Sequence, residues 1–205
     1  MHAPSIACIL CPTPRCINGS QPLSAKAGRT EDMLDTKIWQ IYDNVAHTAC
    51  LHKHTDIAER MFNAALETCG YKKSLHRQRL QSLAGLADTY FAQGRKSESL
   101  KLYNRVINLM VRLSDKTERE QSLLAHCFSK VGELRSSMGQ IEEALQFHKR
   151  SVRLLDKLPG SSQSFLSSNL LRISYLSSLV GKTSEADFAL IRVRALQSST
   201  ISNSI

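Results

Sequence analysis

The chain has 205 residues, 42% of them hydrophobic and 22% charged, with five prolines and nine glycines. That is enough apolar material for one ordinary core or an elongated array of small units, and too little proline and glycine for a collagen-like or low-complexity chain. The formal net charge of +9 favours acidic partners, and no apolar run approaches the ~18 residues of a membrane-spanning helix.

Residues 1–34 read as a disordered basic tail. Residues 1–30, MHAPSIACILCPTPRCINGSQPLSAKAGRT, hold four of the five prolines and no acidic residue. Proline lacks the amide donor a helix interior needs and clashes with the preceding turn. Few apolar groups are present to offset the entropy of ordering. The same acid-poor, serine-containing composition fits an organellar targeting segment, which stands as the alternative to a cytoplasmic location. Cys8, Cys11 and Cys16 form a C-x2-C-x4-C run, three thiols where a zinc ion takes four ligands. The other cysteines, Cys50, Cys69 and Cys127, fall within helical patterns. They read as small buried apolar side chains in a reducing compartment, not as a disulfide framework.

From residue 35 to 205 the texture is helical with short loops. The periodicity predicts helix pairs over 36–51 with 55–69, 73–93 with 96–113, 118–138 with 141–157, and 163–180 with 183–197. The last proline, Pro159, falls in the loop signal LPGSSQS between the third and fourth pairs.

Four stretches share one spacing. Around Gly94 it runs Leu83-x2-Leu86-Ala87-x2-Tyr90, then the glycine, then Ser99-x3-Tyr103. Around Gly139 it runs Phe128-x2-Val131-Gly132-x2-Arg135, then Ala144-x3-His148. Around Gly181 it runs Leu170-x2-Ile173-Ser174-x2-Ser177, then Ala186-x3-Leu190. Upstream it runs Tyr42-x2-Val45-Ala46-x2-Ala49, with Lys53 at the glycine position, then Ala58-x3-Phe62. The turn positions 53, 94, 139 and 181 are separated by 41, 45 and 42 residues. Small residues recur where two helices cross closely, and a glycine ends the first helix in the left-handed conformation. Units that cannot bury their apolar face alone must stack on their neighbours.

This pattern resembles the tetratricopeptide repeat family over residues 36–197, and its long period resembles the kinesin-light-chain type of that family. The resemblance implies an all-α, right-handed solenoid of about four helix-turn-helix repeats. It further implies that the first helix of each pair lines a concave groove that binds a peptide or partner protein. On that frame the groove shows Gln40, Asn44 and His47, then Gln81, Asp88 and Phe91, then His126, Lys130 and Glu133, then Arg172 and Tyr175. Family members that bind chaperone tails clamp a terminal carboxylate with Lys, Asn and Arg residues. Here Asn44, Lys130 and Arg172 are the counterparts, with Asp88 and Glu133 among them.

Signals for other chemistry are weaker. HTACLHKH carries His47, Cys50, His52 and His54, a zinc-like set, but His52 and His54 fall at the expected turn. Gly181-Lys182-Thr183 lacks the earlier glycine and the strand of a phosphate-cradling loop. No serine sits in a G-x-S-x-G turn. Glu142 and Glu143 open a helix, where the dipole favours acids without any catalytic role. Basic clusters at Lys72, Lys73, His76, Arg77, Arg79 and at Lys149, Arg150, Arg153 lack the aromatic interleaving of a nucleic-acid platform. The sequence therefore points to a non-enzymatic adaptor without cofactor or metal, holding a protein or acidic peptide. A basic helical-repeat protein associated with nucleic acid is the alternative. Four repeats without an evident polar capping helix leave self-association open.

Overall fold

In a computed structural model the chain is described over residues 23–158 and 163–202. Its helices are α1 (Leu23–Leu51), α2 (Thr55–Cys69), α3 (His76–Ala92), α4 (Lys96–Val111), α5 (Glu118–Ser137), α6 (Ile141–Leu155), α7 (Gln163–Leu179) and α8 (Thr183–Ser202). A 3-10 turn at Lys73–Leu75 leads into α3. There is no strand among the described residues, and no helix there is long and apolar enough to cross a membrane.

The architecture follows from one turn used four times. The first helix of each pair ends on a residue with positive φ: Lys53 at 61°, Gly94 at 76°, Gly139 at 78° and Gly181 at 72°. The next residue donates its backbone N–H to the carbonyl five positions back: His54 to Ala49 at 2.9 Å, Arg95 to Tyr90 at 2.9 Å, Gln140 to Arg135 at 3.0 Å, Lys182 to Ser177 at 2.8 Å. Its own carbonyl then accepts the first helical bond of the second helix, from Ala58, Ser99, Ala144 and Ala186 respectively. This glycine-type helix stop satisfies the orphan carbonyls and reverses the chain within a few residues.

Packing is close to one-dimensional. The extensive contacts join each helix to the next in sequence, with a smaller one between α1 and α3. Three apolar clusters follow one another along the solenoid. One holds Ala46, Ala58, Phe62 and Leu86. The central one holds Leu80, Tyr103, Met110, Cys127 and Leu134. The last holds Leu145, Leu155, Leu170, Leu176 and Val193. The expected small crossing residues Ala46, Ala87, Gly132 and Ser174 are all buried, as are Ala58, Ser99, Ala144 and Ala186. The two serines of the crossings differ in use: Ser99 donates its Oγ–H to the Ala87 carbonyl at 2.8 Å, inside the second pair. A Cβ placed on Gly132 would lie 2.8 Å from the His148 ring, so the third pair closes only around glycine. Gly85 is a second such position that the repeat pattern does not mark; a Cβ there would lie 2.3 Å from the Phe62 ring.

Ion pairs tie the second helices of neighbouring repeats together. Arg95 reaches Glu59 at 2.9 Å, Arg192 reaches Asp156 at 2.7 Å, and Lys149 pairs with Glu185. Each pair spans 36 residues. Before α5, Thr117 and Glu120 form a reciprocal capping box.

One boundary differs from expectation. The first helix starts at Leu23, upstream of the expected helix start at 36. Leu23 directly follows Pro22, and downstream of it no residue but Gly28 opposes helix; Lys72 then fastens this segment by pairing with Asp32 and Asp35. Residues 1–22, with the Cys8, Cys11 and Cys16 run, lie outside the described residues, as does Pro159.

Candidate peptide-binding groove

The inner faces of α1, α3 and α5, with the loop before α5, enclose an open groove of about 1040 Å³. Its floor carries Gln40, Asp43, Asn44 and His47 from α1, then Gln78, Gln81 and Asp88 from α3, then Ser122 and His126 from α5. These positions recur three and four residues apart, which sets them on one helical face.

Hydrogen bonds crossing between helices hold the floor. Trp39 donates Nε1–H to Ser82 Oγ at 2.8 Å, and Gln81 donates Nε2–H to Asp43 Oδ2 at 3.0 Å. The same Oδ2 lies 3.4 Å from His47 Nε2. His126 Nε2 lies 3.1 Å from both oxygens of Asp88, and Tyr103 donates its hydroxyl to Asp88 Oδ1 at 2.5 Å. The groove thus contains two histidine–aspartate pairs, one on α1 and one joining α3 to α5.

The pairs respond to their surroundings in a consistent way. The hydrogen bond to Asp43 raises the His47 pKa, partial burial works against this, and the negative charges of Asp43 and Asp88 add to the rise. Burial pushes the Asp88 carboxyl up, but the His126 and Tyr103 hydrogen bonds and the nearby Lys130 more than offset it, so its pKa is lowered. Glu120 at the rim is likewise lowered against its burial by the capping bonds at Thr117 and the charge of Arg77, 3.1 Å away.

The sequence-derived groove set divides in two. Gln40, Asn44, His47, Gln81, Asp88 and His126 all line this groove. Phe91, Lys130 and Glu133 form a separate cluster deeper along the repeats: Lys130 Nζ pairs with Glu133 at 3.1 Å and lies 4.9 Å over the Phe91 ring. Arg172 and Tyr175 are exposed on α7 and do not line the groove. The Asn44, Lys130 and Arg172 set is therefore divided among three places instead of converging on one carboxylate. His52 and His54 project from the turn with ring centroids 6.5 Å apart, and no metal-holding group of His, Cys, Asp or Glu occurs among the described residues.

Asp43, Gln78 and Ser122 are floor members the sequence analysis missed, and Asp43 is the one that carries charge. Its signal was present: it lies three residues after Gln40 and four before His47, so it shares their face. Arg77, Glu118, Arg119 and Glu120 were hidden for a different reason. Arg77 opens α3 and the other three open α5, so their meeting at the groove depends on how α5 stacks on α3.

Residues 79–115 match the family model described as "Tetratricopeptide repeat". The fold is a tetratricopeptide-like solenoid. Solved structures agree. The BtubC (BKLC) protein of P. vanneervenii superposes with a TM-score of 0.68 at 16% identity, over 79% of this chain and 64% of that one. The apo form of RapI gives 0.69 at 14% identity, over 81% and 58%. NprR, solved in complex with its cognate peptide NprX, gives 0.58 at 19% identity, over 76% and 43%. The tetratricopeptide-like unit described here thus spans about two thirds or less of each of these chains. No curated protein matches the sequence.

Proposed function

We propose that this chain is a non-catalytic adaptor that holds an extended peptide segment of a partner protein in the groove across α1, α3 and α5. The observation that carries this is the groove itself, polar-floored and about 1040 Å³ in volume, built by the first helices of successive repeats. Solenoids act through such concave surfaces, and NprR, a structural neighbour, was solved with a peptide bound. Selection of random heptapeptides displayed against the protein tests the reading. Ser122 is exposed at the groove, and Ser122→Trp fills the space without touching the core. Recovered peptides should bind this variant at least about tenfold more weakly, on the order of 1.4 kcal/mol. Lys101→Glu with Arg105→Glu, on the outer face of α4, should leave their affinity unchanged. If the outer pair abolishes binding and Ser122→Trp does not, the convex basic face is the working surface. A steep loss of single-stranded DNA binding with salt would then favour the nucleic-acid alternative.

A second reading, head-to-tail self-association, is favoured by the two ends. The outer stripe of α1 exposes Leu34, Ile41 and Val45. The other end exposes Leu171, Tyr175 and Leu179 on α7 with Phe188 and Ile191 on α8. The apolar stripe of α1 in one copy matches that of α7 and α8 in another, as the next repeat would. Sedimentation should show mass rising with concentration, and Phe188→Glu should hold the protein monomeric.

A further inference from the structure

The acidic side chains of this protein follow a rule that the groove breaks. Among the described residues, every other carboxylate that is buried or partly buried is paired with a lysine or arginine: Asp32 and Asp35 with Lys72, Glu59 and Glu98 with Arg95, Glu120 with Arg77, Glu133 with Lys130, Glu185 with Lys149. Asp43 and Asp88, both on the groove floor, have histidines instead.

Asp43 is the more exposed to this deficit in energetic terms, because it is almost wholly buried, at 4% accessibility. Its Oδ2 receives the Gln81 amide and faces His47, while its buried Oδ1 has no hydrogen-bond partner. A desolvated carboxylate with an unmet oxygen and no fixed cation is costly to keep. The half-exposed His47 leans on it from the groove side and also feels the charge of Asp88. The two carboxylates therefore act on one region of the floor, and the side chain beside them there is the half-exposed imidazole of His47.

The surroundings add to the same sign. The groove lining carries four carboxylates, Asp43, Asp88, Glu118 and Glu120, against two arginines, Arg77 and Arg119, in a chain whose net charge is +9. One of those arginines is already committed to Glu120. The acidic preference expected from net charge is thus inverted locally.

We infer that the groove recognises its peptide by a cationic anchor, an arginine or lysine side chain that reaches the floor between Asp43 and Asp88. This rests on the adaptor reading above. A guanidinium suits the place best, since its fork of N–H donors can meet two acceptors at once in a desolvated site. The polar rim from Gln40, Asn44 and Gln81 would then serve the peptide backbone.

The test uses heptapeptides recovered by display on the intact protein. The expected result is a recurrent arginine or lysine in them. Replacing that arginine by citrulline, which keeps the shape and removes the charge, should weaken binding at least tenfold. Asp43→Asn should weaken the arginine peptide by a similar factor and leave the citrulline peptide nearly unaffected. Circular dichroism verifies that the variant is folded, and the citrulline comparison on unaltered protein decides the matter if it is not. Peptides rich in Asp or Glu, or equal binding by the citrulline form, would overturn the cationic anchor while Ser122→Trp blockade still upheld the groove. Failure to recover any peptide that Ser122→Trp blocks would overturn both.

Discussion

Lys53 occupies a backbone conformation that the other three repeats give to glycine. Its φ of 61° costs a Cβ-bearing residue roughly 1 kcal/mol. Lys53→Gly relieves this but loosens the unfolded chain, so a net gain of about 0.5 kcal/mol is expected. Chemical denaturation would show it as a higher midpoint with an unchanged slope; a lower midpoint would mean that the lysine side chain contributes something this turn does not reveal. His148 makes a second residue-scale case. It is buried, its Nδ1 lies 3.0 Å from Asn169 Oδ1, and its Nε2 has no partner and faces Gly132. The Asn169 amide donates to the Phe165 carbonyl, so its Oδ1 accepts from Nδ1–H. Burial lowers the pKa of this imidazole, with the Asn169 bond and Glu133 opposing. The unfolded chain therefore binds the proton more readily, and the stability from keeping His148 neutral is present above about pH 6.5. It is lost as pH falls below that value through the folded pKa. The first two repeats place Phe62 and Tyr103 at the same position, so His148→Phe should flatten the loss of melting temperature on acidification. An unchanged acid profile would remove His148 as its source.

At the scale of paired helices, glycine sets the distance. Gly85→Ala places a methyl into the Phe62 ring of the preceding repeat and should cost about 1–3 kcal/mol by overpacking. Phe62→Leu on its own opens a cavity, yet the double variant should be less destabilised than the sum of the two singles, because the shortened side chain vacates the clash. Additive effects would show that the ring moves aside freely. Gly132→Ala tests the third pair in the same way against His148.

Over the whole molecule, contacts run mainly between successive helices, so stability is a sum of neighbours and not a property of one centre. The central cluster across α3 to α6 contains the fully buried Tyr103, Met110 and Leu134 and is covered on both sides. The last pair leaves Leu171, Tyr175, Leu179, Phe188 and Ile191 exposed and is covered on one. Amide hydrogen exchange should be slowest in α3 to α6 and fastest in α8 and the first turns of α1. Uniform protection throughout would argue for all-or-none opening in place of fraying from the ends.

The helix pairs and their turns were written into the sequence, because each depends on residues within one repeat. The spacing of Ala46, Ala87, Gly132 and Ser174 marks the crossings, and the same spacing sets Lys53 at a glycine position, where its φ is 61°. Six groove residues were legible for the same reason, since a helical face is fixed by i, i+3 and i+4 spacing. The sequence did not determine how successive pairs stack. That stacking put Gly85 against Phe62, set Lys130 over the Phe91 ring, and carried Arg172 away from the groove. It also decided the sign of the groove. Net charge is a sum over the chain and carries no position, whereas the field at Asp43 and Asp88 depends on which groups the fold sets against them, and the ion-pair partners it gives them are histidines.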